Sequence, residues 1–236
     1  MKRTQKGFTL VEIAIVLVII GLLLGGILKG QEMITQAKIK NVVADFSGIS
    51  AAYYGYQDRY RAIPGDDLNA ATRWAVVPVA VAGSGDGQVG GTYNNVCVQV
   101  PVAGTAESCL WWDHLRRAGF VAGTGGLQPF NAVTGMIGVQ TGDGTAAAGP
   151  PAVASGPTML NAAGGNGFVG LLVCSANLPD KIAIAVDTQM DDGTPNLGTV
   201  RGLIQAAPNP GIGAGQVATA AYAETGTNTY TLCRAL

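Results

Sequence analysis

The chain has 236 residues, 48% of them hydrophobic and only 12% charged, with a formal net charge of -1. This length accommodates one anchor and one globular domain with a sizeable core, and excludes an array of several domains. The near-neutral balance lacks the basic footprint of a nucleic-acid-binding protein, so no nucleic-acid partner is expected.

A basic leader, Met1-Lys-Arg-Thr-Gln-Lys-Gly7, runs directly into an apolar stretch from Phe8 to Leu28. Those 21 residues form a helix of roughly 30 Å at about 1.5 Å per residue, which matches a hydrocarbon core. Glu12 lies within this stretch, where a charge costs on the order of 3 kcal/mol or more, so a functional partner is expected for it. A cut between Gly7 and Phe8 would remove Lys2, Arg3 and Lys6 and make Glu12 the fifth residue of the mature chain. The remaining 11 basic and 15 acidic side chains give a net charge of about -4. The terminal amine of a neighbouring subunit is then the natural counter-charge for Glu12, a geometry that implies polymerisation. An ordinary secretory signal calls for a small-x-small site after its apolar region, and Leu28-Lys-Gly-Gln31 offers none.

The segment Lys6-Gly-Phe-Thr-Leu-Val-Glu12, followed by Ile13 to Leu28, resembles the class III signal of type IV pilins and type II secretion pseudopilins. The resemblance implies that a prepilin peptidase cleaves after Gly7 and methylates the Phe8 amine. It also implies an inner-membrane assembly platform with its ATPase, which builds a homo-oligomeric filament alongside other pilins or pseudopilins. The chain would sit in the inner membrane before assembly and in a periplasmic or extracellular filament afterwards, with an architectural rather than enzymatic role. Major pilins and the major pseudopilin usually carry a proline where this chain has Lys29. The alternative is therefore a low-copy minor pilin, pseudopilin or tip adhesin that primes assembly or binds a surface, DNA or secreted cargo. Gly21, Gly25, Gly26 and Gly30 allow close approach of helices in either case.

Beyond Lys29, Ile39, Val42, Val43, Phe46, Ile49 and Tyr53 recur every three to four residues, so the helix continues as an amphipathic one. It is predicted to end near Tyr60, because Pro64-Gly65 breaks a helix. The expected organisation is a leader at 1–7, a membrane or filament-core helix at 8–28, its amphipathic continuation at 29–60 and a globular domain at 61–236. Tyr53, Tyr54, Tyr56 and Tyr60 are expected to pack on a sheet. Asp66 and Asp67 read as a turn or a cap for the segment from Leu68.

Turn clusters at 82–91, 142–151 and 209–215 punctuate the rest. Strands are predicted at 96–100, 136–140, 168–173, 199–205 and 228–234, and a helix at 107–120. That helix carries Leu110, Trp111, His114 and Leu115 on one face, with Asp113 and Arg117 as an outward i,i+4 pair. His114 reads as a packing residue. Gly85-Asp-Gly-Gln-Val-Gly90 has the form G-x-G-x-x-G but lacks the following helix, so no nucleotide site is expected. Cys97, Cys109, Cys174 and Cys233 all lie beyond the anchor, where an exported domain forms disulfides; proximity favours Cys97 with Cys109. A Cys174–Cys233 closure, and a helix at 181–190, follow from the resemblance to pilins.

Segments Tyr60–Asp67, Leu110–Gly119 and Val186–Gly193 also look like a subgroup of prepilin-type proteins. Asp187, Asp191 and Asp192 are candidate oxygen ligands for calcium, although their spacing is not that of an EF-hand. A helix end followed by a solvated Asp-Asp-Gly turn accounts for the same residues, and no cofactor is required. The expected fold is α+β and pilin-like: a long N-terminal helix, membrane anchor plus amphipathic half, packed on an antiparallel β-sheet.

Overall fold

The computed structural model describes residues 9–142, 168, 170–212 and 218–236. Gly7 and Phe8, and with them the expected cut, lie outside the described residues, as does nearly all of the 142–151 turn cluster. The elements are α1 (Leu10–Tyr60), α2 (Ala70–Arg73), α3 (Glu107–Arg117), β1 (Ile137–Gly142), β2 (Gly170–Pro179), α4 (Asp180–Met190), β3 (Val200–Ile204) and β4 (Thr229–Ala235). The architecture is α+β: one long N-terminal helix and a four-stranded sheet ordered β1-β2-β4-β3, antiparallel at every pairing.

The chain divides into two compact units, residues 1–38 and 39–236. In the first, α1 is exposed along nearly all its described length. In the second, the same helix buries Ile39, Val42, Phe46, Ile49, Tyr53 and Tyr56, a stripe with steps of three and four residues. The stripe joins a core built from Trp111, Trp112 and Leu115 of α3, Val139 of β1, Val173 and Leu178 of β2, Ile182 and Val186 of α4, and Tyr230 and Leu232 of β4. Helix α1 stops where Arg61 enters the left-handed region at φ 54°, its amide still bonded to the Gln57 carbonyl at 2.8 Å.

The opposite face of the sheet is covered too. Leu172, Cys174, Ala176, Leu203 and Cys233 join Tyr93, Phe168, Ile212 and Ala218 in a second core. Alternation along β2 puts Leu172, Cys174 and Ala176 in this second core and Val173 in the first. The parity then flips, because three steps from Ser175 to Leu178 oppose only two from Leu232 to Tyr230. This one-residue bulge, with Asn177 at φ 56°, turns Leu178 back into the first core.

Two expectations are corrected, on residues 96–100 and on Asp113. Residues 96–100 form no strand: Val96, Val98 and Val100 alternate, but all three are exposed and no sheet covers them. Of the tyrosines of α1, Tyr53 and Tyr56 share the first core with sheet residues such as Val139 and Val173, while their ring partners lie elsewhere: Tyr53 stacks on Trp111 at 5.3 Å between ring centroids, and Tyr60 packs edge-on to Trp74 at 5.6 Å. Asp113 does not face outward; it is 1% exposed and accepts a hydrogen bond from Arg117 Nε at 2.7 Å.

Candidate functional site

Thr9 stands immediately before α1, and Glu12 occupies its first turn. The Glu12 carboxylate accepts hydrogen bonds from the Thr9 amide at 2.8 Å and the Thr9 hydroxyl at 2.7 Å, while the Glu12 amide donates back to that hydroxyl oxygen at 3.3 Å. This reciprocal arrangement is a capping box, which satisfies amides that a helix start otherwise leaves orphaned. The Thr-x-x-Glu spacing announces it; attention to the charge of Glu12 alone passes over Thr9.

Downstream of Glu12 the surface of α1 is apolar and open. Leu10, Leu17, Leu22, Leu23 and Leu28 are each at least 61% exposed, and an 18-residue window averages a hydropathy of 2.8 with none of it buried. Space beside Gly21, Gly25, Gly26 and Gly30 is empty out to 4 Å from the position of a Cβ. The helix is long and apolar enough to cross a membrane. Its first ionic contact after Glu12 is Lys29 to Glu32, an exposed pair at 2.7 Å.

In the second unit, the conspicuous sequence Ile63-Pro-Gly-Asp-Asp67 is a structural junction. Asp67 accepts hydrogen bonds from Tyr56 Oη at 2.7 Å, the Asn69 amide at 2.9 Å and Arg73 Nη1. The Arg73 guanidinium also lies 4.3 Å from the Tyr60 ring centroid. Burial pushes the Asp67 carboxyl up, but these bonds outweigh it and hold the group below its ordinary range. Gly65 has φ 85°, and a Cβ there would come within 2.5 Å of the Glu107 carbonyl oxygen, so the close approach of this loop to α3 requires glycine.

Asp66 does more than turn the chain. Its Oδ1 accepts from Ser84 Oγ and the Gly85 and Asp86 amides, and its Oδ2 from the Gly87 amide. The Gly85–Gly90 loop thus aims its amides at an anion belonging to the same chain. Glu107 fixes the same loop by accepting from the Ser84 and Gly90 amides, each at 2.7 Å.

His114 is fully buried, its Nδ1 accepting from the Gly65 amide at 2.9 Å and its Nε2 lying 2.8 Å from the Val81 carbonyl oxygen. Those partners assign the neutral tautomer with hydrogen on Nε2, and burial lowers the imidazole below its ordinary value.

The third locus is Asp187, Asp191 and Asp192, one carboxylate oxygen of each lying within 4.8 Å of the others. Asp191 Oδ2 accepts from the Thr199 and Val200 amides, closing the loop from α4 to β3, and Asp192 Oδ1 accepts from the Thr194 amide at 2.8 Å. Asp187 is fully buried: its Oδ2 accepts from Tyr222 Oη at 2.6 Å, whereas its Oδ1 has no well-formed hydrogen bond. Burial, reinforced by Asp192 and Asp191 and opposed by the Tyr222 hydroxyl, pushes Asp187 up to about 6. This donor set of hard oxygens with one buried, underused lone-pair site fits a divalent cation. Tyr222, 35 residues away in sequence, carries no local signal that would reveal its part.

Two disulfides close the unit. Cys97–Cys109 ties the loop before α3 to that helix, and Cys174–Cys233 joins directly opposed residues of β2 and β4 across a separation of 59 residues.

Residues 2–28 match the family model described as the prokaryotic N-terminal methylation motif, the type IV pilin/prepilin-type signature. No curated protein and no solved structure matches the chain.

Proposed function

We propose that this type IV pilin-like protein is a structural subunit of a pilus-like or pseudopilus filament, cut by a prepilin peptidase between Gly7 and Phe8 and methylated on the Phe8 amine. Before assembly, residues 8–28 hold it in the inner membrane; afterwards the same apolar surface is buried among the helices of other subunits. The observation that carries this is the joining of the methylation motif to a helix whose described apolar side chains are exposed and whose glycine faces are open. Glu12 positions an incoming subunit by pairing with its Phe8 amine. Lys29, in place of the proline usual in major subunits, favours a low-copy minor subunit as the second reading, in which the globular unit primes assembly or binds surface, DNA or cargo.

Glu12 substitutions separate assembly from helix capping. Glu12→Gln preserves the capping-box acceptor but removes the charge, whereas Glu12→Ala removes both. Both variants are expected to insert in the membrane and to be lost from sheared filaments; normal incorporation of Glu12→Gln would overturn the charge-pairing role. The amino-terminal residue and its mass, measured in membrane and sheared fractions, tests the cut: methylated Phe8 in both supports a filament subunit, and an intact Met1 rules it out. Abundance in the sheared fraction distinguishes a major from a minor subunit.

Calcium, held by Asp187, Asp191 and Asp192, is the cofactor best suited to the acid cluster; it would neutralise the buried carboxylate and brace the loop from α4 to β3. Calcium is expected to raise the thermal midpoint of the wild-type chain and to leave Asp192→Asn unmoved. An equal response in the two proteins would refute the site.

A further inference from the structure

A cavity of about 380 Å³ opens beside the C-terminal half of α3. Its walls include Asp113, Arg116 and Arg117 of the helix, Gln99 and Pro101 of the preceding loop, and Thr124 of the following one. The volume falls in the lower part of the range typical of small-molecule sites, roughly 300–1,000 Å³.

Covalent and hydrogen bonds fix those walls. The Cys97–Cys109 disulfide fastens the first loop to α3. Gln99 Nε2 donates to the Thr124 carbonyl at 2.8 Å, and the Gly126 amide donates to the Gln99 carbonyl at 3.2 Å, so the loops brace each other. Gly125 has φ 78°, and a Cβ there would lie 1.9 Å from the Gln99 carbonyl oxygen; the approach is as near as backbone allows.

The charge inside is not balanced. Arg117 Nε donates to Asp113 Oδ2 at 2.7 Å, which pairs one cation with the one acid in the wall. Arg116 forms no ion pair among the described residues. Its Nε and Nη1 donate to the Ala122 and Gly125 carbonyls at 3.3 and 2.7 Å, and its guanidinium sits 5.9 Å from the Trp112 ring centroid. Carbonyls and a ring face hold the guanidinium in place without cancelling its charge. Both arginines keep terminal nitrogens with no acceptor among the described residues, donors of the kind that recognise carboxylates in a bidentate manner.

We propose that this cavity binds a small organic carboxylate, its anionic end against Arg116 and Arg117 and its body against the apolar wall of Val100 and Pro101. The volume exceeds what an inorganic anion fills, and the apolar wall gives such an ion nothing. The site lies wholly in the second unit, so it stands whether or not the chain builds a filament.

The test is a titration of the full isotope-labelled chain in detergent micelles with benzoate, with benzamide as the neutral counterpart of similar shape and with inorganic phosphate. Benzoate is expected to shift the Thr124 and Gly125 amide resonances saturably and to bind at least about tenfold more tightly than benzamide, the scale of a hydrogen bond to a charged partner. Thr124→Glu adds a competing carboxylate without touching α3 and is expected to abolish the response. Arg116→Gln is expected to weaken binding at least about tenfold. Equal binding of benzamide, stronger shifts with phosphate than with benzoate, or an undiminished benzoate response in Thr124→Glu would each overturn the proposal.

Discussion

Replacing Asp66 by Asn changes one atom of a carboxylate that is 5% exposed and serves four donors. The amide can keep its oxygen where Oδ1 meets Ser84 Oγ and the Gly85 and Asp86 amides. Its nitrogen then faces the Gly87 amide, 2.9 Å from the present Oδ2, and two donors confront each other. Losing one bond to a charged acceptor costs about 1.5–3 kcal/mol, and the three that survive weaken because charge assistance is gone. The expected destabilisation is about 2–4 kcal/mol, a large share of the roughly 5–15 kcal/mol of a typical domain yet compatible with folding. Hydrogen exchange localises the effect: the amides of Gly85, Asp86 and Gly87 should lose protection in Asp66→Asn while the sheet amides of β2 and β4 retain more of theirs. Unchanged protection at those three amides would refute the assignment of Asp66 as the anion that organises the loop.

Three further outcomes are expected. His114 is the single histidine, so its imidazole resonances are unambiguous; they should titrate with a midpoint below the ordinary 6.5, because burial disfavours the charged ring. Because the folded value is depressed, the unfolded chain takes up more protons, and the contribution of His114 to stability is present above pH 6.5 and declines as pH falls below it. Converting Cys174 and Cys233 together to Ala should cost about 4 kcal/mol in denaturant unfolding, from chain entropy alone for a loop of this length. Tyr56→Phe removes a buried hydroxyl from Asp67 and should cost about 1.5–3 kcal/mol, read by the same unfolding experiment.

Much of this molecule was legible where a local period or a local pair carries the information. The stripe from Ile39 to Tyr53 predicted the continuation of α1, and Arg61 ends the helix close to the expected point because Pro64 lies just ahead. Helix α3 and the strand pattern around β3 and β4 followed from the same kind of signal, whereas for α4 the alternation of Ile182, Ile184 and Val186 left helix and strand open and the resemblance to pilins pointed to the helix. Strand β2 was legible only at its start. Ser175, Asn177 and Pro179 resemble turn residues, and nothing local tells a bulge from a break. The alternating valines at 96, 98 and 100 misled because alternation makes a strand only when a core covers one face, and here the Cys97–Cys109 disulfide holds the segment instead. Asp66, Asp187 and His114 were visible as unusual residues, but their partners lie 18 to 49 residues away and are set by tertiary contact alone. Thr9 is the opposite case: its partner is three residues on, and the capping signature was present in plain sequence.

The bulge in β2 acts as a change of phase along a single strand. Upstream of Asn177 the even-numbered side chains serve the core that holds the disulfide; downstream the even-numbered Leu178 serves the core shared with the helices. One strand thereby delivers side chains of the same parity to two separate interiors. Deleting Asn177 would let Ala176 oppose Thr231 and Leu178 oppose Tyr230 in regular alternation, leaving Leu178 in the core shared with the helices; the extra residue changes the parity of the sequence while the facing of the paired side chains is kept.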